Sequence, residues 1–281
     1  MVAVSTLLLV SLPSPLSPVV FEIGPLALSY YGLFIALGIV VATWLTGWEL
    51  VRRGYNGGYS LAVEALLFVV PLGLLGSRAS YVVANYDLYA NNPIPAVLEI
   101  WVGGLELYGA LAGGFLGMLI FCWYRGINPL AFADAAAPGI VLGQAIGRWG
   151  DYFNQELFGT PSQLPWAIRI SPENRPAGFT DATSFHPTFL YEALWDVLVC
   201  LALLWLARHA AKRLKNGDVF LLYVGLYSVG HFLIQTLRLD PPSPLIAGLI
   251  RGDLFVSGSL ALGCALILLL RHPGLFREHP K

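Results

Sequence analysis

Apolar residues gather into seven stretches, at about 27–50, 61–84, 104–124, 131–147, 188–208, 218–237 and 253–271, with short polar joints between them. Each is near or above the roughly 18 residues that cross a bilayer as a helix. The fourth departs most from the pattern, being short, rich in alanine and glycine, and interrupted by Asp134. Long period-two alternation is absent, so helices rather than a closed barrel must satisfy the backbone in lipid. The pattern predicts an all-α, polytopic membrane protein of about seven transmembrane helices. A single integral-membrane domain over 1–281 is expected, with its core at 20–271 and outer loops at 148–187 and 238–252. The opening segment "MVAVSTLLLVSLPSPLSPVV" has no basic start and holds three prolines. It reads as an irregular lead-in, not a cleaved signal peptide.

Composition sharpens this reading. Hydrophobic residues make up 57% of the chain and charged ones 12%, with a mean hydropathy of +0.68. A net charge of −1 gives no electrostatic basis for a nucleic-acid partner. Cys122, Cys200 and Cys264 lie singly in apolar runs, so buried thiols are expected in place of disulfides or metal ligands. Neither a nucleotide loop nor a GxSxG or HExxH motif occurs, and no cofactor is expected.

Basic residues orient the spans. Arg52, Arg53, Arg125, Arg208, Lys212, Arg213, Lys215, Arg271, Arg277 and Lys281 fall on one side, ten of the sixteen. Arg148, Arg169, Arg175, Arg238 and Arg251 fall on the other, and Arg78 lies inside a span. The denser side is expected to be cytoplasmic, which puts the N-terminus out and the C-terminus in. On that map five helices bring polar ends to the outer half of the membrane. They carry Tyr30 and Tyr31; Tyr108; Arg148, Asp151, Asn154 and Glu156; His186, Tyr191 and Glu192; and Tyr227, His231, Gln235 and Arg238. Ionisable groups at such depth are costly unless paired or solvated, which makes them functional candidates.

Four segments hold these residues, and each has two readings. In "GRWGDYFNQELFG" (147–159), Arg148 is suited to clamp a phosphate or carboxylate with its planar fork; the plainer alternative is an interfacial ion pair. In "VGGLELYGALAGGFLG" (102–117) the glycines suit tight helix packing or the wall of a lipid-sized groove. In "FHPTFLYEALWD" (185–196), His186 is either an acid–base group or a cap at a helix start. In "GLYSVGHFLIQTLRLD" (225–240), Tyr227, His231, Gln235 and Arg238 recur as one helical stripe. That stripe is either an anion site shared with Arg148 or a structural ladder.

Together these segments resemble the bacterial prolipoprotein diacylglyceryl transferase family. "GRWGDYFNQELFG" looks like its G-R-x-G-N-F-x-N-x-E-x-x-G signature and "HPTFLYEALWD" like its H-P-T-x-L-Y-E segment. "IGPLALSYYGLFIALG" is similar to its first-helix opening and "GGLELYGALAGG" to its G-G-L-x-x-H/Y-G stretch. The resemblance, covering roughly residues 20–270, implies a membrane enzyme. Its partners would be phosphatidylglycerol, preprolipoprotein signal peptides with their lipobox cysteine, and the bilayer itself. It implies transfer of a diacylglyceryl group to that thiol, at the outer leaflet of the bacterial cytoplasmic membrane. By position it carries catalytic roles to Arg148, Glu156, Tyr31, Tyr108 and Asp151. Phospholipid binding falls to Arg148, Asn154, Gly159, Tyr227, His231 and Arg238.

Some letters depart from the family pattern. Asp151 replaces an asparagine, Tyr108 stands where many members have histidine, and His231 and Gln235 replace an arginine and a glutamate. The last exchange resembles a compensated loss of an ion pair, with Asp151 expected to act as the carboxylate that keeps His231 charged. Two other classes stay open at this level. One is a weakened homologue that binds lipid or signal peptide without transfer. The other is a solute transporter, which the concentration of polar residues in one half of the membrane disfavours.

Overall fold

A computed structural model describes residues 12–15, 17–23, 26–90, 93–99, 103–239, 245–246 and 250–273. Arg277 and Lys281 of the charge pattern, and much of the 238–252 loop, lie outside the described residues. Among the described residues, seven helices are long and apolar enough to cross a membrane. They are α1 (Tyr30–Arg52), α2 (Gly58–Ala84), α5 (Leu107–Arg125), α6 (Pro129–Asn154), α7 (Thr188–His209), α8 (Asp218–Gln235) and α9 (Gly252–Arg271). The short helices α3 (Tyr86–Tyr89) and α4 (Pro93–Leu98) stand between α2 and α5. The protein is thus an all-α, multi-pass membrane protein.

The main departure from the predicted spans is at α6, expected to end near 147 but helical to Asn154. Mean hydropathy falls once Arg148 and Asp151 enter the window, whereas the backbone continues because those polar groups face protein partners. Short strand pairs also occur: β1 (Val19–Ile23) with β2 (Leu26–Ser29), β3 (Ile168–Arg169) with β4 (Ser184–Phe185), and β5 (Leu245–Ile246) with β6 (Ile250–Arg251), all antiparallel. Elements of two to five residues leave no periodicity to read.

Contacts divide the chain into two compact units, residues 43–136 and residues 1–42 with 137–281. Within unit 43–136, α2 and α5 approach through glycine. A Cβ on Gly109 would meet the Gly76 carbonyl oxygen at 2.2 Å, and one on Gly113 would meet that of Leu72 at 2.1 Å. The glycines of the 102–117 segment are therefore a packing surface. Leu50, Phe121, Cys122 and Phe132 form the core of this unit. Asp134, the charge inside the fourth span, faces Arg53 at 3.8 Å. Arg78 is fully buried; its Nε donates to the Ala96 carbonyl at 2.8 Å and its Nη1 to that of Gly103. Its guanidinium also sits over the rings of Tyr81 and Tyr89.

In the other unit, the first half of α1 meets the second half of α6. A Cβ on Gly38 would lie 2.8 Å from the Gly143 carbonyl oxygen, and one on Gly150 would lie 2.5 Å from the Tyr31 ring. Tyr30 stacks on Phe153 with centroids 4.0 Å apart. Helices α7 and α8 close on each other where Gly230 leaves room for the Trp195 ring; the Trp195 Nε1 donates to the Leu226 carbonyl at 2.9 Å. Beyond α6, the segment to residue 187 folds over a small core of Phe158, Ile168, Ile170, Phe185 and Phe189.

Candidate functional site

Intramembrane charges converge in the unit that contains the second half of α6 with α7 and α8. Arg148 stands on the penultimate turn of α6 with its side chain 19% exposed. Its Nε lies 2.5 Å from Glu192 Oε2 on α7. Its Nη1 donates to Asp151 Oδ2 at 3.4 Å, and its Nη2 to the Tyr227 hydroxyl on α8 at 3.3 Å. Glu192 is shared: its Oε1 accepts from Arg238 Nη1 at 3.2 Å and lies 3.9 Å from His231 Nδ1. Tyr227 and His231, one turn apart on α8, stack with centroids 5.8 Å apart. One buried carboxylate thus bridges two arginines from different elements.

These positions follow from local sequence. Arg148 and Asp151 are three residues apart and so share a helix face. The Tyr227–His231 spacing of one turn does the same on α8, and Gly230 beside His231 lets the Trp195 side of α7 come close. A second polar layer lies a turn along each helix, where Tyr223 Oη donates to Gln144 Oε1 at 3.1 Å. Asp196, four residues after Glu192, is buried there, and its Oδ2 has no hydrogen-bond partner among the described residues.

The rest of the signature builds the turn after α6. Asn154 Nδ2 donates to Glu156 Oε1 at 2.8 Å, and Glu156 is exposed. Gln155 and Leu157 take left-handed backbone conformations, φ 52° and 55°, which cost L-residues energy and persist only where surroundings enforce them. Gly159 supplies the enforcement. Its N–H donates to the His186 carbonyl at 2.9 Å, and it bridges Arg238 as an isolated β-pair. A Cβ there would sit 2.9 Å from both the Leu237 oxygen and the His186 Cβ. Gly159 thereby carries the chain past Arg238 and fixes it beside Glu192.

Of the residues singled out from sequence, Arg148, Asp151, Tyr227, His231 and Arg238 meet in this cluster. Tyr31 packs on α6 at Gly150 and is 39% exposed. Asn154, Glu156 and Gly159 form the adjoining turn. Tyr108 belongs to the other unit, at the start of α5, and is 66% exposed. The expected pairing of Asp151 with His231 is corrected: the carboxylate beside His231 is Glu192, because Arg148, a turn away on the same helix, holds Asp151. His186 is engaged by the Tyr191 hydroxyl at 3.1 Å, which also accepts from Trp166 Nε1 at 3.0 Å. Glu192 was among the intramembrane candidates but was given no catalytic or binding role, and Asp196 was not singled out. Their signal was present, since two carboxylates one turn apart in an apolar span are costly without partners.

A family model described as prolipoprotein diacylglyceryl transferase matches residues 18–270. The chain is similar to phosphatidylglycerol–prolipoprotein diacylglyceryl transferase 2 of Streptomyces coelicolor, 43% identical over 272 residues that cover 94% of this chain and 83% of the relative. It is 42% identical over 262 residues to the phosphatidylglycerol–prolipoprotein diacylglyceryl transferase of Frankia alni, covering 92% of this chain and 67% of the relative. With the enzyme of that name from Parasynechococcus marenigrum it shares 41% identity over 227 residues, 80% of this chain and 81% of the relative.

Proposed function

Since the chain belongs to the prolipoprotein diacylglyceryl transferase family, we propose that it transfers the diacylglyceryl group of phosphatidylglycerol to the lipobox cysteine of preprolipoproteins. A thioether bond forms between the cysteine sulfur and the glyceryl carbon. The carbon–oxygen bond to the phosphate breaks, and its electron pair leaves on the glycerol phosphate. The step needs a thiolate and a stabilised leaving phosphate.

The observation that carries the mechanistic reading is the Arg148 cluster. Arg148 and Arg238 are both held by Glu192, which brings two guanidinium charges together at a place where a headgroup phosphate can exchange with a resident acid. Arg148 neutralises charge on the leaving phosphate, and Tyr227, His231 and Arg238 frame the headgroup with Asn154 and Gly159. Tyr31 and Glu156 are the proposed groups around the reacting thiol and glyceryl carbon in this unit, with Asp151 acting through Arg148; Tyr108 is proposed as catalytic on the resemblance alone. Helix ends support the topology proposed for this reaction. The spans α1, α5, α7 and α9 carry a basic residue in their last turns, whereas α2, α6 and α8 carry none. Under the positive-inside rule, that alternation favours an outward N-terminus and a site at the outer leaflet of the cytoplasmic membrane. We take both units as parts of one integral-membrane domain.

The test is direct. Purified protein, phosphatidylglycerol vesicles and a lipobox peptide should yield diacylglyceryl peptide by mass spectrometry, and Arg148→Ala should abolish it. Lipid binding with no product from the wild-type protein would refute the transfer reading.

A further inference from the structure

The segment between α6 and α7 contains a cavity of about 390 Å³ that includes none of the Arg148 cluster. Its walls present Arg169 and Arg175 with the hydroxyl residues Ser14, Ser171, Thr183 and Ser184, and no carboxylate lines it. The backbone around it is tied down. Arg169 N donates to the Leu12 carbonyl at 3.0 Å, and Ser14 Oγ donates to the Arg169 carbonyl at 2.8 Å. Arg175 is half-committed: Nε donates to the Ile170 carbonyl and Nη1 to that of Thr180, both at 3.0 Å. Those bonds hold the guanidinium, and its Nη2 makes no hydrogen bond among the described residues. The Arg169 guanidinium makes no hydrogen bond or ion pair among the described residues, and the hydroxyls of Ser171, Thr183 and Ser184 likewise make no hydrogen bond there. The cavity is also fastened to the signature. Gln155 Oε1 accepts from Ser171 N at 2.7 Å, and the Tyr152 hydroxyl donates to the Pro13 carbonyl at 2.9 Å.

Two arginines and four hydroxyl residues line this hollow, with no carboxylate among the described lining residues, which makes a donor-rich site. Planar N–H forks match tetrahedral oxyanions, and hydroxyls supply the remaining donors at angles a single arginine does not reach. We propose that this cavity binds a phosphate group, either on a soluble monoester such as glycerol phosphate or on a lipid headgroup. The site is built separately from the residues assigned to transfer, so it stands or falls independently of the transfer reading.

Full-length protein in uncharged detergent is titrated calorimetrically with glycerol phosphate and with inorganic phosphate. In a parallel arm, phosphatidylcholine nanodiscs with and without phosphatidylglycerol are analysed by native mass spectrometry for retained anionic lipid. Arg169→Gln should weaken binding by about tenfold or more, the worth of a lost charge-assisted bond. Arg169→Lys should retain most of it, and transfer activity should stay within about twofold of wild type in both, as expected of a surface substitution away from the transfer residues. Arg169 is exposed, so both variants should unfold at the wild-type midpoint. An Arg169-dependent signal in the soluble arm identifies a monoester ligand, and one confined to nanodiscs identifies a headgroup; either sustains the proposal. Equal binding by wild type and Arg169→Gln in both arms overturns it, as does acetate competing as well as phosphate.

Discussion

Glu192→Gln is the substitution that most directly probes the charged cluster. The glutamine keeps the volume and one carbonyl oxygen, but it removes the negative charge facing Arg148 at 2.5 Å and Arg238 at 3.2 Å. Glu192 is 6% exposed and Arg238 7%, so water replaces little of what is lost. Hydrogen bonds to charged groups contribute about 1.5–3 kcal/mol each. The Arg238 contact is one such bond and the Arg148 contact a close ion pair, and removing one partner of a buried pair costs roughly 3–5 kcal/mol. At about 1.4 kcal/mol per tenfold, a loss of that size expressed in the transition state lowers kcat/KM by about two to four orders of magnitude. Asp151→Asn provides the internal scale. Its contact with Arg148 is long, at 3.4 Å, and the amide retains an acceptor, so a loss of about 1 kcal/mol or less is expected. The assay is initial-rate transfer to a lipobox peptide, run as double-mutant cycles of each acid with Arg148→Lys. Coupling of Arg148 to Glu192 should exceed its coupling to Asp151 by at least about 1.5 kcal/mol. Equal couplings, or a Glu192→Gln enzyme within threefold of wild type, would refute the reasoning.

Two further substitutions test the frame around the cluster. Gly159→Ala places a methyl 2.9 Å from the Leu237 carbonyl oxygen and the His186 Cβ, and the Leu237 backbone adjoins Arg238. A loss of about 1–3 kcal/mol is expected, read as a lower thermal midpoint in detergent; an unchanged midpoint would contradict the packing described. At the opposite end of α8, buried Asp218 accepts from Lys215 N at 2.7 Å and meets Arg271 Nε at 2.8 Å and His272 Nε2 at 2.7 Å. Asp218→Asn should loosen the end of α9 by about 3 kcal/mol, measured as faster amide exchange at Leu268–Arg271, and exchange at the wild-type rate would refute it.

Much of this architecture was readable from the chain because lipid-facing helices must be continuously apolar. The starts of α7 and α8 and the end of α9 fall where hydropathy changes. The end of α6 was not readable in that way, since a span that turns a polar face toward protein looks terminated when only its average is scored. The cluster was partly legible. Arg148, Asp151, Tyr227, His231 and Arg238 stood out as polar residues at one membrane depth. Which acid meets which base did not, because spacing along one helix says nothing about rotation of its neighbour. Glu192 proved to be the shared partner, and the pairing of Asp151 with His231 gave way to it. The left-handed turns at Gln155 and Leu157 had no signal in residue type, as neither is glycine or asparagine.

The bridging carboxylate has a consequence for selectivity. A bare pair of arginines in a bilayer would attract every anionic lipid passing by, and the common ones would occupy it most. Here Glu192 and Asp151 already occupy donors of Arg148. A phosphate that reaches Arg148 must exchange with a resident acid, and the weaker hold, on Asp151, is the one to yield. Such exchange lowers affinity for all anions alike. It rewards only a ligand whose other contacts, along α8 and the turn at Gly159, outweigh the acid it displaces.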